Sequence, residues 1–332
     1  MCLLICYGTR PEWIKLKPVI DELRKRDVPH RVLHVGQHKD IGESDYILEI
    51  VDRGSRLDSI VGSVMSKFND LFYGTNITSV MVQGDTTTAL AAAMAANHHK
   101  MGVIHLEAGL RTYNDNNPWP EERNRRMISV LADVHLCPTE ENAKNLISEE
   151  ITGSIFVTGN TAIDSIAGYR DKCEYTNKVL VTLHRRENHK MMDRWFRAVE
   201  EVAFAHDDME FILPIHKNPD VYKHKDIFKY VNVVEPMSHD DLLDILVKTR
   251  LVITDSGGIQ EECSYFHKKC LVCRITTERP EALGKSSFLV RLPSDLPLIF
   301  DEHVDNYEID YGCPFGDGSS AKSIVDILQL LK

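Results

Sequence analysis

The stretch "SVMVQGDTTTALAAAMAANHHKMGVIHLE", Ser79 to Glu107, holds a strand, a helix and a second strand with almost nothing between them. "SVMVQ" is a short apolar run stopped by Gly84 and Asp85, and "GVIHL" is another, stopped by Glu107. The alanine-rich segment between them suits a helix packed tightly on its neighbours. Two buried runs joined by a helix make a βαβ unit, whose strands lie parallel in a sheet covered on both faces. Both runs end on an acid.

The same rhythm extends in both directions. Upstream, "LLICYG" reads as a strand, followed by a helix from Pro11 to about Arg26, the strand "RVLHVG", a polar segment, and a helix near residues 63–73. Downstream come a helix after Pro120, then "DVHLCP", "TEENAKNLI" and "SIFVTG". After the polar "YRDKCEYTNK" the alternation restarts with "KVLVTLH", a helix near 193–205, "EFILPIH", "VNVVEP", "SHDDLLDILVKT", "LVITDS", "GIQEECSYF" and "KCLVCRI". Ser238 and Asp241 form a capping pair at one helix start. Two doubly wound α/β domains with a boundary near residue 170 follow, which suits a chain of 332 residues. The closing "SSAKSIVDILQLLK" is an amphipathic helix able to pack on either domain.

A formal charge of −11 speaks against nucleic acid as the main partner, although local arginines can still hold a small anion. The apolar start is too short for a signal or a membrane span, so a soluble, cytoplasmic protein is expected. The eight cysteines are scattered through apolar runs and read as reduced core residues. Cys270 and Cys273 form a lone CxxC within a strand, a poor metal or redox site. No spacing calls for a metal or a cofactor.

In doubly wound sheets, ligands bind beyond the carboxyl ends of the strands. Arg10, Asp85, Glu107, His184, His216 and the pair Asp255–Ser256 end or closely follow strands in both halves, which points to one cleft between two domains. "DSGGIQEE" joins a strand to a helix through Gly257 and Gly258. It is either an ordinary turn or a phosphate seat, with Ser256 as a donor and Glu262 placed for ribose hydroxyls. It is neither a Walker loop nor a GxGxxG fingerprint. Arg10 and Lys15 in "GTRPEWIK" suit a diphosphate, though Lys15 also fits a solvated helix face. Asp85 is as well placed to cap the next helix as to do chemistry. Glu107 has no cap to make. Glu121 and Arg125 stand four apart on one helical face and should pair. His184 and His216 end equivalent strands and suggest ligand contact.

Together, "GTRPEWIKLKP", "GDTTTALAAAMAA", "HLEAGLRT…PWPEERNRR", "VTGNTAID", "VTLHRREN", "TDSGGIQEE" and "TTERPEAL" resemble the non-hydrolysing UDP-N-acetylglucosamine 2-epimerases, in order from Gly8 to about Leu283. The resemblance implies the two-Rossmann fold of type B glycosyltransferases. Its N-terminal domain would be 1–168 plus a crossover helix at 319–332, and its UDP-binding domain 169–318. It also implies interconversion of UDP-N-acetylglucosamine and UDP-N-acetylmannosamine, a precursor step for surface polysaccharide. The route is anti elimination of UDP to 2-acetamidoglucal and re-addition, without a cofactor, in a homodimer. Matched by motif, Arg10, Ser256, Gly257, Gly258, Glu262 and Arg279 would bind UDP. Lys15, Asp85, Glu107, Glu121, Arg125 and His184 would serve catalysis. Some relatives carry a second, activating UDP-sugar site. Gln37, His38 and His216 match it, while the following "KDIGESDY" departs from it. Cys313 replaces the asparagine of the family's "NPYGDG".

Overall fold

Each short apolar run becomes a strand in the computed structural model, which describes residues 2–36, 42–51, 56–72, 74–116 and 118–331. Gln37 and His38 lie outside the described residues. The chain divides into two units: Met1–Ser165 with Gly316–Lys332, and Ile166–Phe315. The sequence reading places these divisions near 168 and 319, a few residues later.

The N-terminal unit holds β1 (Cys2–Tyr7), β2 (His30–Val35), β3 (Tyr46–Leu48), β4 (Ile77–Gln83), β5 (Gly102–Leu106), β6 (Val134–Cys137) and β7 (Ser154–Val157). They form a parallel sheet in the order β3-β2-β1-β4-β5-β6-β7. All six β1 residues are buried, as expected of a strand covered on both faces. The order reverses between β1 and β4. Ile5 lies opposite Met81 there, so the two strands end side by side. Such a switch point leaves a crevice beyond the strand ends.

The helix Thr87–His98 buries nearly its whole surface, packed between the sheet and the helices Arg56–Phe72 and Glu121–Leu131. Alanine makes that close approach possible. Arg56–Phe72 starts earlier than its sequence signal near residue 63.

The closing helix, Ser320–Leu330, belongs to this unit and packs on Arg10–Lys25. Ala321, Ile324, Val325 and Leu328 share a core with Leu16, Val19, Ile20 and Leu23. Asp164 fixes its start, accepting the Ser320 and Ala321 N–H groups at 3.1 and 2.6 Å.

The C-terminal unit repeats the plan with β8 (Lys178–Thr182), β9 (Glu210–Pro214), β10 (Asn232–Val234), β11 (Thr249–Thr254), β12 (Lys269–Val272) and β13 (Ser287–Leu289), ordered β10-β9-β8-β11-β12-β13 and parallel. Its switch point lies between β8 and β11. Trp195, Phe196, Phe211 and Phe300 anchor a separate core. The sequence reading contains neither β13 nor the helix Leu296–Val304. No helix among the described residues is long and apolar enough to cross a membrane.

Candidate active site

In the N-terminal unit a cavity of about 330 Å³ opens beyond the ends of β1, β4 and β5, and Lys15, Gln83, Asp85, Glu107 and Glu121 are among its lining residues. Glu107 follows β5 with φ +64°, a left-handed conformation that costs a non-glycine residue about 1–3 kcal/mol. Lys15 Nζ lies 2.6 Å from both oxygens of its carboxylate. The Gln83 amide also donates to it, and Asn160 Nδ2 stands at 3.4 Å. Lys15 is therefore no solvated helix residue.

Asp85 does not cap the next helix. Thr86 does, with its hydroxyl accepting from the Ala89 N–H at 3.0 Å. The Asp85 carboxylate instead pairs with the buried Arg125, which also reaches Glu122 at 3.2 Å. This corrects the expected Glu121–Arg125 pair. The helix Glu121–Leu131 turns Arg125 inward to Asp85 and the buried Glu122, and leaves Glu121 at the cavity. Among the described residues Glu121 forms no ion pair. Three carboxyl groups thus share one cavity in three states: one clamped by a lysine and two amides, one held by an arginine, one without an ionic partner.

Residues absent from the sequence reading build the frame. Glu12 is 1% exposed and accepts from the Gly8 and Thr9 N–H groups and from the Thr9 and Thr86 hydroxyls, so it ties the β1 loop to the β4 loop. The Thr9-x-x-Glu12 spacing, half of a capping box, is the signal that identifies it. Burial raises its proton affinity despite those four donors. Glu122 accepts the Thr112 and Tyr113 N–H groups and so fixes the loop after Glu107. His105 supports Gly84 from below, its Nε2–H donating to the carbonyl at 2.8 Å, and burial lowers its pKa to about 3. Arg10 begins its helix exposed and is not among the residues lining the cavity.

At the second switch point, the fully buried Asp255 accepts from the His184 and Arg185 N–H groups and the Asn188 amide, shaping the loop after β8. The His184 ring stacks on His216 with centroids 5.2 Å apart. Partial burial lowers its pKa, and His216 and Arg185 add to that against the pull of Asp255.

The helix Gly257–Tyr265 starts here, and Ser256 makes no side-chain cap. The first-turn N–H groups therefore lack any intrahelical partner, the condition for anion binding. A Cβ on Gly257 would stand 2.8 Å from the Arg279 guanidinium, whereas one on Gly258 would meet nothing nearer than Ser256 Oγ at 3.9 Å. Arg279 is held by Glu261 at 2.7 Å and Glu278 at 2.5 Å. Burial alone would raise the Glu278 pKa, but Arg279, Arg274 and Arg185 outweigh it and hold the carboxyl well below the usual range. Glu262 pairs with His239 at 2.9 Å, a partner missing from the sequence reading, and its other oxygen is buried without a donor.

All eight cysteines are free thiols. Among the described residues no group of His, Cys, Asp and Glu is arranged to hold a metal.

The family model described as UDP-N-acetylglucosamine 2-epimerase matches residues 21–329. The chain belongs to this family. It is 35% identical to the UDP-N-acetylglucosamine 2-epimerase of Neisseria meningitidis serogroup A, over 99% of each chain. A crystal structure of the Neisseria meningitidis UDP-GlcNAc 2-epimerase, bound to UDP-GlcNAc, superposes with a TM-score of 0.90 at 35% identity, covering 99% of this chain and 100% of that one. The Methanocaldococcus jannaschii UDP-GlcNAc 2-epimerase, in complex with UDP-GlcNAc and UDP, gives 0.82 at 30% identity with the same coverage. The two doubly wound parallel sheets described above are the architecture of this epimerase family.

Proposed function

We propose that the protein interconverts UDP-N-acetylglucosamine and UDP-N-acetylmannosamine without releasing free sugar. One observation carries the reading: a single cavity at a switch point gathers Lys15, Asp85, Glu107 and Glu121, with the three acids in different pairing states. Inverting C2 needs a group that removes a proton from one face and another that returns it to the opposite face. H2 is only weakly acidic, so departure of the diphosphate must supply most of the drive.

In the first half-reaction the C2–H bond breaks and the proton passes to Glu107. The electron pair forms a C1=C2 double bond, and the C1–O bond breaks with its electrons leaving on UDP. Ser256, the N–H groups of Gly257 and Gly258, and Arg10 would stabilise that departing charge, with His184 beside it. Glu262 would take the ribose hydroxyls. Arg279, neutralised by its own carboxylates, would act by shaping the floor under Gly257. In the second half-reaction UDP adds back to C1 and Glu121, which forms no ion pair among the described residues, delivers a proton to the opposite face. Asp85 is held in its ion pair with Arg125.

Incubation with UDP-N-acetylglucosamine in D₂O tests the reading. Deuterium at C2 of both UDP-sugars is the expected result. Free N-acetylmannosamine would indicate the hydrolysing reaction, and an unlabelled, unchanged substrate would refute epimerisation.

A further inference from the structure

Lys15 by itself does not orient Glu107. An ammonium equidistant from two carboxylate oxygens attracts the group strongly but permits it to swing about the charge. Proton removal from carbon demands more, because the accepting oxygen must lie in line with the breaking C–H bond.

A directional constraint comes from β4, beside the longer contact from Asn160 Nδ2 at 3.4 Å. Gln83, its last residue, is 3% exposed and donates its amide to Glu107 Oε2. An ionised carboxylate only accepts, so the NH₂ end of Gln83 must face it. Next to Gln83, a Cβ on Gly84 would stand 3.5 Å from the same oxygen. That is an ordinary contact, so what calls for glycine here is the left-handed backbone, φ +67°, that turns the chain under the carboxylate. Gln83 is carried by a central strand and adds no charge. Its contribution is direction.

We propose that Gln83 is the positioning residue that fixes the Glu107 carboxylate for proton transfer at C2. The inference rests on the reading of Glu107 as the group that takes the C2 proton. Other ionisable groups face the same cavity, namely Lys15, Glu12, Asp85 and Glu121, and the neutral His105 lies behind it.

Gln83→Leu keeps the volume and removes the donor, while Gln83→Glu puts a second carboxylate against Oε2. In Gln83→Leu, kcat for C2 exchange is expected to fall about 10- to 100-fold with KM within about twofold and the melting temperature little changed. In Gln83→Glu the two carboxylates must share a proton, so the base ionises only at higher pH. The acid limb of the kcat/KM profile should then move up by about one pH unit or more. The deciding readout is Gln83→Leu, in which loss of a donor to the ionised carboxylate should also move that limb up, whereas loss of a side chain that only fills space would leave it in place.

Glu107→Gln separates the two failures. If it abolishes exchange while both Gln83 variants match the parent in rate and pH profile, the role of Gln83 is overturned and Glu107 stands. If Glu107→Gln still exchanges C2 hydrogen, both assignments fall.

Discussion

His105 shows how a single side chain beneath the chemistry ties stability to pH. Its imidazole is fully buried, supports the Gly84 carbonyl, and has a pKa of about 3 against about 6.5 in an unfolded chain. Between those values the unfolded state binds a proton that the native state refuses. Stability is therefore full above about pH 6.5 and lost as pH falls towards 3, with a slope of up to about 1.4 kcal/mol per pH unit. Urea unfolding at pH 7, 6 and 5 should show that decline. His105→Gln, which keeps a donor for Gly84, should flatten it at some cost in stability at pH 7; an unchanged slope would assign the acid sensitivity elsewhere. At this scale the sequence disclosed positions but not partners. Asp85 and Glu107 stand out because an acid at the end of an apolar strand has few structural uses. That Arg125 turns to Asp85, or that Gln83 and Asn160 reach Glu107, depends on residues brought together only by the fold. Among the unread residues, Glu12 in Thr9-x-x-Glu12 and Glu122, three before Arg125, had local signatures.

Helix starts carry the next level, and Gly257–Tyr265 lets two adjacent glycines be told apart. Gly257 is pressed against Arg279, whose guanidinium two carboxylates hold in place. Gly257→Ala is expected to cost about 1–3 kcal/mol through overpacking, read as a lowered denaturation midpoint. A Cβ on Gly258 makes only an ordinary contact with Ser256 Oγ, so Gly258→Ala should leave stability unchanged or raise it by up to about 1 kcal/mol, since alanine favours helix. On the proposed seat of the diphosphate its methyl group would obstruct the approaching phosphate, and UDP affinity by calorimetry should then drop at least about tenfold. Undiminished UDP binding by a stable Gly258→Ala would remove this helix start from the site. Apart from the helix Leu296–Val304, elements long enough to display a period were legible in the sequence, down to the Ser238–Asp241 cap, whose Ser238 hydroxyl accepts from the Asp241 N–H at 3.1 Å. The unread β3 and β13 have three residues each, too few to express alternation, and they sit at sheet edges where neighbours define them.

For the whole chain, the telling feature is that the last helix completes the first unit. Ile324, Val325 and Leu328 are each at most 2% exposed, and burying one such side chain is worth about 1.5–3 kcal/mol. Leu16, Val19, Ile20 and Leu23, all at 0% exposure, would meet water without it. Asp164 would lose the two N–H groups it accepts from. The sequence left this helix free to join either unit, because an amphipathic face does not say which surface it will cover. The C-terminal unit, with its own core and with Ser256, Gly257, Gly258 and Glu262 all inside it, does not depend on that helix. A chain ending at Phe315 should therefore keep one cooperative calorimetric transition, that of the second unit, and lose the other. With the nucleotide held at the proposed helix start, residues 256–258, it should still bind UDP yet show no deuterium at C2. Full exchange by the shortened chain would make the helix an accessory; loss of UDP binding along with exchange would place the nucleotide's grip outside residues 166–315.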